Sequence, residues 1–437
     1  MLIQFIIRNF KTFKDETKLS FLASNYDKER LSENIFEIPQ FNLKLLKSAV
    51  IYGANASGKS KLIEAIDFMR ELVLNSSKES QINEPINVEP FKLNSVSENL
   101  PSFFEIIFII KNEMYRYGFE ATKQKIVSEW LYHRPKTKEV ELFYREGQKF
   151  EIHELKFKVK DLIENERIRP NALLLSVAAF WNNKIAKKIL EYFNDKLNVI
   201  SGLKEQNYIG YSIHKLKDLK TKSKIIDLMR NADFSIDDLT PKILDIQSLP
   251  SDIPKEIREL IESKMKNKNA EIFDDVLTLH KKYNNNNQII ESTNFSMNEE
   301  ESSGTRKYFA LTGPILETLK NGEVLFIDEL DAKLHPNLIC KIVEIFNSCI
   351  TNPLNGQLIF NTHDTNLLSS NLFRRDQIWF TEKNRYGAAS LYSLSDFKTD
   401  VVRKDDNFEK NYINGKYGAI PYLGDFDKLF ISESKAI

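Results

Sequence analysis

One stretch constrains this chain more than any other. Residues 49–52 form a short apolar run, and Gly53, Ala54, Asn55, Ala56, Ser57, Gly58, Lys59 and Ser60 follow as a glycine-flanked loop. Apolar residues then recur at Leu62, Ile63, Ile66, Met69 and Val73, the spacing of one helix face. Buried strand, loop and amphipathic helix in that order are the setting in which G-x-x-x-x-G-K-[ST] holds a nucleoside triphosphate. The glycines let backbone N–H groups turn inward onto phosphates, while Lys59 reaches the outer phosphate oxygens and Ser60 ligates Mg²⁺. The expected ligands are therefore a nucleoside triphosphate and Mg²⁺.

The chain has 437 residues, 42% of them hydrophobic, which is enough for a large core and more than one domain. Lys plus Arg equals Asp plus Glu at 62 each, so no global field draws it to nucleic acid or acidic lipid. A DNA contact would need local patches. Arg134, Lys136 and Lys138, or Arg374 and Arg375, are candidates that equally suit a solvated surface. No apolar run approaches the roughly 18 residues that span a bilayer, so no membrane partner is expected. The N-terminus alternates like a strand instead of showing a signal-peptide pattern. With only Cys340 and Cys349, no disulfide framework and a cytoplasmic setting are expected.

In chain order, residues 2–7 and 17–21 read as strands around a turn containing Arg8, Asn9, Phe10 and Lys11, whose cations suit either a phosphate or solvent. Residues 25–41 read as an irregular connection, and 75–99 as polar loop interrupted by Pro85 and Pro90, with Gln81 a candidate γ-phosphate sensor. Residues 103–110, 114–120, 126–133 and 140–145 predict an antiparallel meander. Helical spacing follows over 171–180, 184–197, 213–230 and 253–268, so 161–283 is expected to be a helical insertion available for partner or dimer contacts. The four asparagines at 284–287 read as a loop returning to the core.

Residues 324–329 are an apolar strand ending in two acids with different tasks. Asp328 holds Mg²⁺ beside Ser60, and Glu329 polarises the attacking water. Residues 357–363 repeat the arrangement and deliver His363 at a strand's carboxyl end, where ligands sit in parallel α/β sheets. A helix over 337–350 supplies the crossover between them. Ser302, Ser303, Gly304 and Thr305 open a further helix. By itself this reads as a serine cap, but it also makes an anion site suited to the nucleotide of another subunit.

With these pieces in order, the chain resembles the ABC-type ATPase heads of the SMC, RecF and overcoming-lysogenisation-defect group. Within it, the chain is similar to compact bacterial defence ATPases of the RloA, abortive-infection and PARIS type. The resemblance covers the start of the chain through Ser60, then residues 301–394, and possesses Asn55 as a feature typical of the group. It implies that Ser302, Ser303, Gly304, Thr305 and Arg306 are the signature, Asp328 and Glu329 the Walker B acids, Leu330 and Asp331 the D-loop, and His363 the switch histidine. It extends to residues 415–421, which alone read as a turn. The signature departs from the transporter Leu-Ser-Gly-Gly-Gln, no long coiled coil is present, and no clustered carboxylates of a nuclease follow His363. The implied fold is an α/β P-loop NTPase of ABC-ATPase type with an antiparallel β-subdomain and a helical insertion. Its expected parts are residues 1–160, 161–283 and 284–437. The implied function is ATP hydrolysis by Glu329, His363 and Lys59 in a homodimer or higher oligomer sharing ATP sites. Such a protein would regulate an anti-phage effector in trans, a nuclease being expected. The alternatives are a RecF-like DNA-repair clamp and an assembly protein with little turnover.

Overall fold

The computed structural model describes residues 1–24, 32–78, 84–244, 273–369, 371–398, 401–403, 406–422 and 424. Gln81 and the helix expected over 253–268 lie outside them. The chain divides into two units, Met1–Asp195 with Ile359–Ile437, and Lys196–Leu358.

In the first unit, β1 (Leu2–Arg8), β2 (Thr17–Ser20), β3 (Ile35–Ile38), β4 (Leu43–Leu46) and β5 (Ser48–Gly53) precede helix α1 (Lys59–Asn75). The expected meander follows as β6 (Ser102–Ile110), β7 (Glu113–Ala121), β8 (Ile126–Arg134), β9 (Val140–Glu146) and β10 (Lys149–Ile152). It continues through the first strands into a seven-stranded antiparallel sheet, β10-β9-β8-β7-β6-β1-β2. Lys111 and Asn112 join β6 to β7, both with positive φ (48° and 62°), the conformation that matches a two-residue turn to the strands' twist. Helices α2 (Lys160–Glu164), α3 (Leu174–Phe180) and α4 (Lys184–Asp195) complete this stretch. The fully buried Glu129 of β8 accepts from the α3 amides of Leu174 (2.7 Å) and Leu175 (3.0 Å) and pairs with the equally buried Arg145 at 3.4 Å. Such a pair costs desolvation but fixes which helix end meets the sheet.

The second unit begins with β11 (Leu197–Ser201), followed by α5 (Ile209–Lys215), α6 (Leu219–Asn231), β12 (Asp238–Ile243), β13 (Phe273–Tyr283) and β14 (Ile289–Ser296). Then come α7 (Ser303–Asn321), β15 (Val324–Asp328), α8 (Pro336–Asn347) and β16 (Gln357–Asn361), the last crossing the boundary between units. The region expected to be helical is therefore mixed. Leu197, counted as a helix end, starts a strand that runs parallel to β15 with Ser201 opposite Asp328. β12, β13 and β14 form an antiparallel sheet, and the asparagine run is its hairpin turn, with Asn284 Oδ1 accepting from the amides of Asn286 and Gln288 at 2.9 Å. The helix expected over 213–230 is two helices, because Asp218 caps a new start through the Thr221 amide (3.0 Å).

Helix α7 shows how sequence exceptions are accommodated. Pro314 removes the amide that would bond the Ala310 carbonyl, and Ser212 Oγ of α5 donates to that carbonyl at 2.6 Å instead. The same hydroxyl accepts from Gly313 N–H at 3.1 Å, and a Cβ at Gly313 would stand 2.5 Å from it. Gly-Pro inside a helix is thus a docking notch for α5.

Candidate nucleotide site

β5 is buried along its whole length, and the chain leaves it at Gly53, whose φ of +152° belongs to glycine. A Cβ there would lie 2.4 Å from the Thr381 carbonyl of the neighbouring parallel strand β17 (Ile378–Lys383). Ala56 is left-handed at φ 61°, and Gly58 turns the loop into α1 at φ +120°. Helix α1 buries Leu62, Ile63, Ile66, Met69 and Val73, the face its spacing announces. Lys59 is buried, and its Nζ donates to the carbonyls of Gly53 (2.8 Å) and Ala54 (3.1 Å). Ser57 Oγ meets Thr381 Oγ1 at 2.6 Å, which holds the loop from below. Ser60 is half-buried in the first turn of α1.

The exposed His363 follows β16, and Thr362 N–H donates to Ile51 O at 3.2 Å. His363 shares a cleft of about 610 Å³ with Gly53, Ala54, Asn55, Ala56 and Ser57. The C-terminal segment also lines it, through Tyr412 on α10 (Phe408–Ile413), which follows α9 (Asn366–Ser369), and through Ala419, Ile420, Pro421 and Tyr422. Helix α10 is tied to two parts of this lining. Glu409 accepts from Thr365 Oγ1 at 3.1 Å, and the Tyr412 hydroxyl donates to Ala419 O at 3.2 Å. Burial pushes the Tyr412 hydroxyl up to about 12, against a hydrogen bond from the Gly53 backbone. Arg374 and Arg375, read as possible surface contacts for DNA, are buried instead: Arg374 binds the Asp376 carboxylate and Ser24 O, and Arg375 binds Val402 O. Lys11 of the first turn is paired with Glu64, and Arg8 with Glu120 at 2.7 Å. Arg134 lies over the Phe41 ring, while Lys136 and Lys138 are exposed.

The acids sit in the second unit. Asp328 ends β15, and Glu329 follows in a left-handed conformation (φ 57°) that carries its side chain away from the strand's alternation. Two residues to which the sequence assigns no role hold this turn. Gly202, just past β11, donates to Asp328 O at 2.6 Å, and a Cβ there would lie 2.0 Å from Glu329 O. Lys307, on the first turns of α7, is fully buried and donates to the carbonyls of Glu329 (3.1 Å), Leu330 (2.8 Å) and Ala332. Ser302 caps α7, its Oγ accepting from Thr305 N–H at 3.0 Å and meeting Thr305 Oγ1 at 2.9 Å. Ser303 stays exposed at the helix N-terminus. Gly304 is required by close approach, since its Cβ would stand 2.9 Å from Lys333 O. Residues 302–307, the acids and the loop bearing Asp331 therefore pack together within this unit.

Residues 48–369 match the family described as "AAA domain, putative AbiEii toxin, Type IV TA system". The chain belongs to this AAA_21 family. Solved structures similar to this AAA_21 protein include the SMC head domain from Thermotoga maritima, at 10% identity and a TM-score of 0.40 over 90% of this chain and 98% of that one. A SmcHead bound to the C-winged helix domain of ScpA matches at 13% identity and a TM-score of 0.38, covering 90% and 97%. The cbiO1 protein from Clostridium perfringens, part of the ABC transporter complex cbiONQ, matches at 10% identity and a TM-score of 0.27, covering 87% and 92%. No protein of curated function matches. The AAA_21 protein carries an AAA domain by family, with its glycine-flanked loop between β5 and α1, and no helix among its described residues is long and apolar enough to cross a membrane.

The loop of this AAA_21 protein suits a nucleotide. Thr12 Oγ1 is buried with no hydrogen-bond partner among the described residues, and it lies 3.2 Å from where a Cβ on Gly58 would stand. Such an orphan beside a loop with Gly53, Ala56 and Gly58 all at positive φ fits an oxygen-rich ligand. Among the described residues no cluster of three or more His, Cys, Asp or Glu could cage a metal. Mg²⁺ takes one or two protein oxygens, a type of donor the Ser60 hydroxyl supplies, and the rest from phosphate and water.

Lys307 carries a prediction for this turn. Lys307→Met leaves three buried carbonyls without their donor, at about 1–3 kcal/mol each if none finds another. A loss of about 3 kcal/mol or more in urea unfolding is expected. Burial pushes the Lys307 ammonium down to about 8, against the attraction of Asp331 and Glu205. The unfolded chain keeps this proton to about 10.4 and so binds more protons between those values. The stability difference between wild type and Lys307→Met should therefore be flat below pH 8 and grow as pH rises from 8 to 10.

Proposed function

We propose that this protein is a Mg²⁺-dependent, ABC-type ATPase that pairs through shared nucleotides and serves as the sensor or regulatory subunit of an anti-phage, abortive-infection system. The observation that carries this reading is the loop from Gly53 to Ser60, with its two positive-φ glycines and its buried Lys59. Lys59 exchanges the Gly53 and Ala54 carbonyls for phosphate oxygens. Ser60 and Asp328 provide oxygens for Mg²⁺, which when bound neutralises phosphate charge. Glu329 takes the proton of the attacking water, the bond to the outer phosphorus forms, and ADP leaves with the bridging oxygen. His363 donates to the outer phosphate. Ser302, Ser303, Gly304, Thr305 and Asp331 of a second copy close over the nucleotide, using the free amides at the α7 N-terminus. The family description, which names an AbiEii toxin and a toxin–antitoxin system, supports the defence setting.

Pairing is tested with a variant that binds but does not turn over. Glu329→Gln mixed with Mg-ATP and measured by size-exclusion chromatography with light scattering should run as a dimer, and as a monomer with ADP. A monomer under both conditions would sink the shared-nucleotide reading.

A further inference from the structure

We infer that Lys383 is a second phosphate-binding lysine, carried over the P-loop by a β-hairpin and contacting the outer phosphate of a nucleoside triphosphate. The inference rests on the P-loop reading above and adds a residue to it. β17 and β18 (Ala389–Ser393) form an antiparallel hairpin in which Lys383 pairs with Ala389. Side chains alternate along a strand, so Lys383 shares its face with Thr381, and directly paired residues share a face across the hairpin. Both neighbours on that face touch the loop. Thr381 meets Ser57, and the Ala389 Cβ lies 3.1 Å from where a Cβ on Gly58 would be. Lys383 is thereby placed beside the turn between the two glycines, and it lines the same cleft as residues 53–57 and His363.

Charge at this edge is unevenly satisfied. The adjacent Glu382, on the other face, accepts from the hydroxyls of Tyr422 (3.0 Å) and Tyr392 (3.3 Å). The half-buried Lys383 ammonium has no hydrogen-bond or ion-pair partner among the described residues. A cation held against a phosphate loop with no protein anion of its own is matched by an oxyanion of the ligand. His363 in the same cleft points to the outer phosphate as that oxyanion.

The test is equilibrium binding of a non-hydrolysable ATP analogue and of ADP, each with Mg²⁺, to Lys383→Gln, Lys383→Arg and Lys59→Ala. Lys383→Gln should weaken the triphosphate about ten- to a hundred-fold, the range of one charge-assisted hydrogen bond, and ADP by less than about two-fold. Lys383→Arg should restore most of the loss. Unchanged triphosphate binding in Lys383→Gln, or equal loss of both nucleotides, overturns the inference. Lys59→Ala separates the two levels. If it loses nucleotide while Lys383→Gln does not, only the second lysine fails, and if it binds normally the P-loop reading fails first.

Discussion

Glu329→Gln is expected to lower ATP turnover by about 10²-fold or more while leaving nucleotide affinity within a few-fold of wild type. Removing a general base affects the step in which the water proton is transferred, and contributions of this kind are about 10²–10⁴-fold. The amide keeps the size and polarity of the carboxylate, so the left-handed turn at φ 57° has no new reason to move. Single-turnover phosphate release is the measurement, because it separates chemistry from product release. Turnover within a few-fold of wild type would remove Glu329 from the base role and pass it to another group in the site.

Gly202→Ala is the second large effect, and it comes from a residue with no chemistry of its own. A methyl group at this position would stand 2.0 Å from Glu329 O and 2.9 Å from Asp328 O, both backbone atoms, so neither can rotate aside. Either β11 withdraws from β15, breaking the Gly202 hydrogen bond to Asp328 O, or the turn bearing both acids is displaced. Overpacking of this kind costs about 1–3 kcal/mol, or more where backbone must shift. The expected result is a fall in thermal midpoint of several degrees together with loss of hydrolysis, since a misplacement near 1 Å can cost about 10²-fold in rate. A variant with wild-type midpoint and wild-type turnover would mean that this contact does not position the acids. The two substitutions differ in a useful way: Glu329→Gln should keep its fold and nucleotide, whereas Gly202→Ala should lose stability with activity.

What could be read from the sequence follows the range of the interactions. The P-loop is legible because strand, glycine turn and helix are contiguous, and each step has its own periodicity. The meander is legible for the same reason, although the two-residue length of the turn at Lys111 and Asn112 is set by the strand ends. The apolar strand ending at Asp328 is equally local. Residues that act through distant backbone were invisible. Gly202 looks like any loop glycine until β11 is known to lie against β15. Lys307 looks like the charged face of a helix until its ammonium is found among three carbonyls. Arg374 and Arg375 show the converse error, since adjacent arginines read as a surface patch while their partners Asp376 and Val402 bury them. β11 was hidden because Leu197 continues the apolar spacing of α4, and five strand residues cannot outweigh a helix pattern that runs into them. The wall made by Ala419 to Tyr422 has only a turn signature, and its place beside the P-loop depends on Tyr412 reaching Ala419 O.

The central claim is that the loop from Gly53 to Ser60 binds ATP for hydrolysis. Its most direct test is steady-state phosphate release by purified wild type and Lys59→Ala, each with Mg²⁺ and with the metal chelated. Wild type should release phosphate only with Mg²⁺, and Lys59→Ala should not rise above background in either condition. Equal release by the two proteins, or none by wild type that nonetheless binds Mg-ATP, would contradict the account.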